Sequence, residues 1–168
     1  MKLLNLTELT SITNPKWRLI YQASVDGFDS FHSKCDGVRN TLLIVKSNKN
    51  YIFGGYTTAD WSSSEINYGV KYDADAFLFS LVNEFNSPVK MKILKPEKAI
   101  ISSVYTYISF YEFRCDPGNK EVSICSSYLG SVYEKYPFGY PEKPFNFPSQ
   151  NNFPYLFQAV EIEVYTNN

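Results

Sequence analysis

From Val160 to Tyr165 the chain reads Val-Glu-Ile-Glu-Val-Tyr, apolar and polar side chains alternating residue by residue. That is the period of a strand with one buried and one wetted face. A strand like this cannot stand alone, because a single ribbon leaves its backbone groups and its apolar row exposed. The rest of the chain supplies partners. Trp17 to Ser24 alternates loosely, with Trp17, Leu19 and Tyr21 on one side. Thr41 to Lys46 is β-branched and apolar, and the polar turn Ser47-Asn48-Lys49-Asn50 returns it into Tyr51 to Thr57 as a hairpin. Ala76 to Val82 suits a helix or a strand, with Phe77, Phe79 and the nearby Pro88 favouring a strand that pairs with Val89 to Leu94 across Asn86-Ser87-Pro88, and Ala99 to Val104 is followed by one long run, Tyr107 to Arg114. Asp116-Pro117-Gly118-Asn119 then turns the chain into Glu121 to Ser126.

Few helices separate these runs. Phe28, Phe31, His32 and Cys35 stand at i, i+3, i+4 and i+7, one apolar face of a short helix capped by Asp29 or Ser30. Leu3, Leu6, Leu9 and Ile12 suit a second, stopped at Asn14-Pro15. The expected class is mainly β with flanking helices (α+β): a two-layer antiparallel β-sandwich with one or two short outer helices. With 168 residues and 44% hydrophobic content there is material for one core. The expected organisation is a short lead over residues 1–15 and a single domain over 16–168.

A formal net charge of −1 gives no field that would draw the protein onto nucleic acid. The apolar runs are far shorter than the roughly 20 residues of a membrane span. The first nine residues are broken by polar side chains before a secretory core forms. Three cysteines, Cys35, Cys115 and Cys125, lack metal-ligand spacing, which fits a reducing, intracellular setting.

Several constellations invite chemistry and have a plainer reading beside it. His32 and Cys35 are two ligands where zinc takes four, so both are expected on the buried side of their helix. A Cys-His nucleophilic pair would need an orienting third group. Gly54-Gly55 lacks the remainder of a phosphate loop and is expected to permit a bulge or a close backbone approach. Cys115 and Cys125 flank the Asp116 to Asn119 turn, but a hairpin centred there would set Cys115 against residues 120–122 and Cys125 against 110–112. Asp60, Glu65, Asp73 and Asp75 share one polar loop without a calcium pattern, and read as solvated acids. The proline-rich, aromatic segment Tyr136 to Tyr155 is the strongest partner-binding candidate.

Taken in order, Leu19 to Ser24, Asp26-Gly27-Phe28, Phe31-His32 with Cys35-Asp36, Thr41 to Ser47, Ile52-Phe53-Gly54-Gly55-Tyr56-Thr57, Trp61, Ala76 to Leu81 and Glu161 to Tyr165 resemble the TLDc domain family. The family's glycine-rich segment before a late strand is replaced here by Tyr105 to Tyr111. The resemblance implies a β-sandwich flanked by helices, usually the C-terminal module of eukaryotic proteins linked with oxidation resistance, vesicle trafficking and binding to the vacuolar proton pump (V-ATPase). Asp26, Gly27, Phe28, Phe31, Cys35, Gly54, Gly55, Tyr56 and Trp61 are its fold signature. The function so implied is a non-enzymatic interaction module, cytoplasmic or peripheral to endolysosomal or vacuolar membranes, associated with oxidative-stress protection. It has no expected cofactor, metal or catalytic residue. The alternative is a cysteine-dependent antioxidant or redox protein using Cys35, Cys115 or Cys125.

Overall fold

A computed structural model of the chain describes residues 10, 15–62, 69–103, 106–117, 123–127, 130–135 and 155–167. Among these the strands run β1 (Arg18–Gln22), β2 (Thr41–Ser47), β3 (Ile52–Thr57), β4 (Val70–Lys71), β5 (Phe77–Val82) and β6 (Val89–Lys92). They continue with β7 (Ile100–Ser103), β8 (Thr106–Phe110), β9 (Phe113–Pro117), β10 (Ser123–Ser127) and β11 (Tyr155–Thr166). All pairings are antiparallel, in the order β4-β7-β8-β9-β10-β11-β2-β3-β5-β6, with β1 also on β11. This continuous sheet folds over into a β-sandwich. Phe53 of β3 meets Phe113 of β9 edge to face at 5.7 Å, and both belong to the core between the layers.

Strand β11 is the seam. Its first part pairs with β10 and its second with β1, while β2 runs along its other side from Ala159 to Thr166. A bulge between Ala159 and Glu161 lets one strand bend from one layer into the other. The bulge also changes the alternation expected there. Ala159, Ile162 and Val164 are buried, but Val160 is 52% exposed. A second bulge between Leu19 and Tyr21 breaks the predicted single face of β1: Leu19 is exposed while Tyr21 is buried.

The Ser47 to Asn50 hairpin forms as expected, with Asn50 in the left-handed region at φ 63°. The run Tyr107 to Arg114 does not form one strand. Tyr111 and Glu112 turn it into the β8–β9 hairpin, pairing Phe110 with Phe113. The predicted helix over Phe28 to Cys35 divides into a 3-10 turn at Phe28–Ser30 and a single helical turn, α2 (Phe31–Cys35). Another, α1 (Ala23–Asp26), ends at Gly27, whose φ of 83° suits a residue without Cβ. The polar loop expected to carry Asp60, Glu65, Asp73 and Asp75 is corrected in part: Trp61 and Asp73 are buried, and Val70–Lys71 is a short strand.

Strand β2 is apolar on both faces. Leu43 and Val45 enter the inter-layer core, whereas Leu42 and Ile44 join a second cluster with Tyr56, Phe77 and Phe79 on the other face of the sheet. Trp17, Ile52, Leu81 and Tyr165 pack against this second cluster.

Candidate interaction surface

Two residues of the expected fold signature, Phe31 and Trp61, lie in one aromatic chain. Tyr21 meets Phe31 at 5.6 Å, Phe31 meets Trp61 at 5.5 Å, and Trp61 meets Phe110 at 5.7 Å, all edge to face. Trp61 is held by its indole N–H, which donates to Thr41 Oγ1 at 2.8 Å, and by its carbonyl, which accepts from the Ser102 hydroxyl. Gly55 faces Phe110 across the sandwich. Gly54 lies against the Leu43 carbonyl of the neighbouring strand, where a methyl group would overlap the backbone. Tyr56 points to the opposite face and stacks on Phe77 at 5.3 Å. Phe28 packs at the edge of the inter-layer core. Asp26 Oδ2 accepts from the Gln22 backbone N–H at 2.9 Å and Oδ1 pairs with Lys34 at 3.0 Å; these two lower its pKa.

His32 and Cys35 do not share the buried side of the helix as expected. Cys35 is fully buried, and burial pushes its thiol up to about 12. His32 sits at the surface with Nδ1 2.8 Å from Asp36 Oδ1. The turn buries Phe31 and Cys35, one turn apart, and His32 pairs instead with the carboxylate four residues on. A thiol held this far from ionisation at neutral pH is a poor nucleophile.

Two acids carry more structure than their sequence contexts suggest. Asp73, buried between β4 and β5, ties down the bend after β3: Oδ2 accepts from Thr57 Oγ1 and the Thr58 N–H, both at 2.6 Å, and Oδ1 from Thr58 Oγ1 at 2.8 Å and the Asp75 N–H at 2.9 Å. It is not the solvated loop acid expected. Asp60 is also engaged, with Oδ1 2.8 Å from Lys71 Nζ. Glu65 lies outside the described residues. Among the described residues no group of three or more His, Cys, Asp or Glu side chains is placed to hold a metal.

Glu112, at the β8–β9 turn, carried no sequence signal. Its Oε1 accepts from the Ser131 N–H at 2.7 Å, Ser131 Oγ at 2.5 Å and the Val132 N–H at 2.9 Å, and its Oε2 from the Tyr133 N–H at 2.8 Å. The carboxylate gathers the amides of an irregular segment, charge-assisted bonds of the stronger kind. That segment in turn covers the edge of β6: Ile93 bridges Tyr133, and the Leu94 N–H donates to the Val132 carbonyl at 2.6 Å. Tyr133 completes the clasp by donating its hydroxyl to the Ala99 carbonyl at 2.6 Å.

Among the described residues there is a surface groove of about 490 Å³ lined by Ile44, Lys46, Ile52, Glu161 and Glu163. It lies where β11, β2 and β3 run side by side. Glu161 is partly buried, which raises its pKa, but bonds from Ser24, Gln22 and the Ile162 N–H outweigh burial and hold it below the usual carboxylate range. Glu163 accepts from the Tyr165 hydroxyl at 2.8 Å; burial and this bond push that phenol up to about 12. The groove therefore presents two carboxylates, an exposed lysine and two isoleucines. Those groups suit an extended peptide with apolar and charged side chains. The segment 136–154, singled out from its prolines and aromatics, lies outside the described residues. No helix among the described residues is long and apolar enough to cross a membrane.

Comparison with known proteins adds a family and two relatives. The TLDc domain family model matches residues 1–167. The MTOR-associated protein MEAK7 of Danio rerio is 33% identical over 67 residues, and its counterpart in Xenopus laevis is 33% identical over 69. Each match takes in 39% of this chain and 14% of the relative, so the chain corresponds to a small part of those proteins.

Proposed function

The chain belongs to the TLDc domain family, and from that premise we propose that it is a non-enzymatic interaction module whose groove beside β11 takes a segment of a protein partner. The observation that carries this reading is the use made of the reactive-looking groups. Asp73 and Glu112 are committed to internal donors, and Cys35 is buried with its pKa raised, while the charged and apolar groove remains at the surface. The name of the two relatives, MTOR-associated protein, describes association with a protein and supports the same class of role. Within that class the partner we propose is the vacuolar proton pump, as the family resemblance implies. The setting is cytoplasmic, peripheral to vacuolar or endolysosomal membranes, and the role lies in oxidative-stress protection.

Affinity purification under native conditions, with wild type and Lys46→Glu side by side, tests both levels. Recovery of pump subunits with wild type and their loss with the variant is the expected result. A wild-type eluate without pump subunits removes the pump as partner, and equal recovery by the variant removes the groove.

A further inference from the structure

The β9–β10 pairing brings Cys115 directly opposite Cys125. A hairpin centred on Pro117-Gly118 would have kept them apart. The ladder instead pairs Pro117 with Ser123, which shifts the register until the two cysteines are partners in the ladder.

The type of site follows from the backbone. Antiparallel pairs alternate between hydrogen-bonded and non-hydrogen-bonded, and the latter bring the chains closer, to about 4.5 Å between Cα atoms. Pro117 has no N–H, so its pair with Ser123 is of the non-hydrogen-bonded kind. Two residues along an unbroken ladder, Cys115 and Cys125 form a pair of the same kind. The other edge of β9 agrees. A two-residue turn at Tyr111 and Glu112 makes Phe110–Phe113 a hydrogen-bonded pair, hence Ile108–Cys115 also. The N–H and C=O of Cys115 thus point to β8, away from β10. Two separate lines of backbone geometry place the cysteines at the closer type of cross-strand position, within the Cα range from about 4.4 to 6.8 Å that a disulfide spans.

We propose that Cys115 and Cys125 form an oxidation site, a dithiol that hydrogen peroxide converts into a cross-strand disulfide locking β9 to β10. One thiolate attacks peroxide; its O–O bond breaks, an S–O bond forms and hydroxide leaves. The second sulfur then attacks that sulfenic sulfur, forming S–S and breaking S–O. The two thiol protons end in two waters, and the two electrons given up by the sulfurs reduce the peroxide. Cys115 is a free thiol, 2% exposed, on the row that carries the buried Ile108. That position slows the reaction and shields its product from reductants. Cys35 sits on α2, outside this ladder.

The full chain is treated with hydrogen peroxide, alkylated while denatured, and digested without reductant. The expected product is a peptide pair joined through Cys115 and Cys125 with Cys35 still alkylated, so that two of the three thiols are lost. Cys35→Ser should lose the same two thiols, and Cys125→Ser should form no internal link. Closing so short a loop should raise the melting midpoint by about 5 to 10 °C, reversed by dithiothreitol. A link through Cys35, links between chains only, or no link at peroxide levels that sulfinylate exposed thiols would overturn the proposal. Mapping on wild type needs no variant to fold.

Discussion

Phe110 occupies the space that a side chain at residue 55 would need: a Cβ built on Gly55 would stand 2.5 Å from Phe110 Cζ. The obstacle is a fully buried ring wedged against Trp61, so it has no room to yield. Gly55→Ala should therefore cost about 1 to 3 kcal/mol through overpacking. In chemical denaturation, Gly55→Ala combined with Phe110→Leu should lose less than the sum of the two single changes. Strict additivity would show that the glycine serves something other than this contact.

Replacing Glu112 with Gln keeps its volume but turns an amide N–H₂ towards N–H donors. The charge-assisted bonds to Ser131, Val132 and Tyr133 are weakened or lost, and buried amides go unmet. A loss of about 2 to 4 kcal/mol follows. The exposed Glu97→Gln, as a control, should stay within about 0.5 kcal/mol. Urea unfolding monitored by tryptophan fluorescence distinguishes the two.

Stability should fall on acidification partly through Asp60. Its burial alone would raise its pKa, but Lys71 and the bonds from Ser62 outweigh burial and bring it down to about 2. The folded value lies below the unfolded one of about 3.9. The contribution is therefore present above pH 4 and lost as pH falls through the folded value. Asp60 is only partly exposed, 28% of its side chain reaching solvent, and the screening that this allows leaves about 1 kcal/mol. Asp60→Asn should flatten the stability profile between about pH 4 and pH 2. An unchanged profile would mean that the ion pair contributes nothing net.

Native Cys35 should be nearly inert to iodoacetamide. With its pKa at about 12, the thiolate fraction at pH 8 is about one in ten thousand. Alkylation should run at least about a hundredfold slower than that of a free peptide thiol, and reach the peptide rate in denaturant. A native rate close to the peptide's would mean that α2 opens freely.

The hairpins with ordinary punctuation were legible: Ser47 to Asn50 and Asn86 to Pro88 carry turn residues between apolar runs, and the structure follows them. The turn at Tyr111 and Glu112 was hidden, since neither is a usual turn residue and both sit inside an apolar run. Bulges were equally silent. An inserted residue at Val160 leaves the letters alternating while the side chain turns outward. The Cys115–Cys125 register depended on the length of a connection that Pro117-Gly118 made look shorter than it is. The roles of Asp73 and Glu112 were not readable because most of their partners are backbone amides, and no letter of the sequence records where an amide points. The aromatic and glycine blocks, by contrast, announced a fold more than a reaction. Phe31, Trp61 and Gly55 are indeed neighbours of one ring system.

The seam made by β11 also sets an order of events. The pairing of Thr41 with Thr166 closes a span of more than a hundred residues, and the pairing of Arg18 with Thr166 a longer one still. Contacts so distant in sequence form slowly, because the entropy of bringing the ends together is lost before any contact repays it. On the ribosome β2, β3, β5 and β6 can zip together as they emerge, but the two layers remain halves until Tyr155–Thr166 arrives to join them. Through that interval the open flank of β2 is an unpaired sheet edge, which makes the waiting time for one strand the window in which a chaperone, or another nascent chain, finds this protein first.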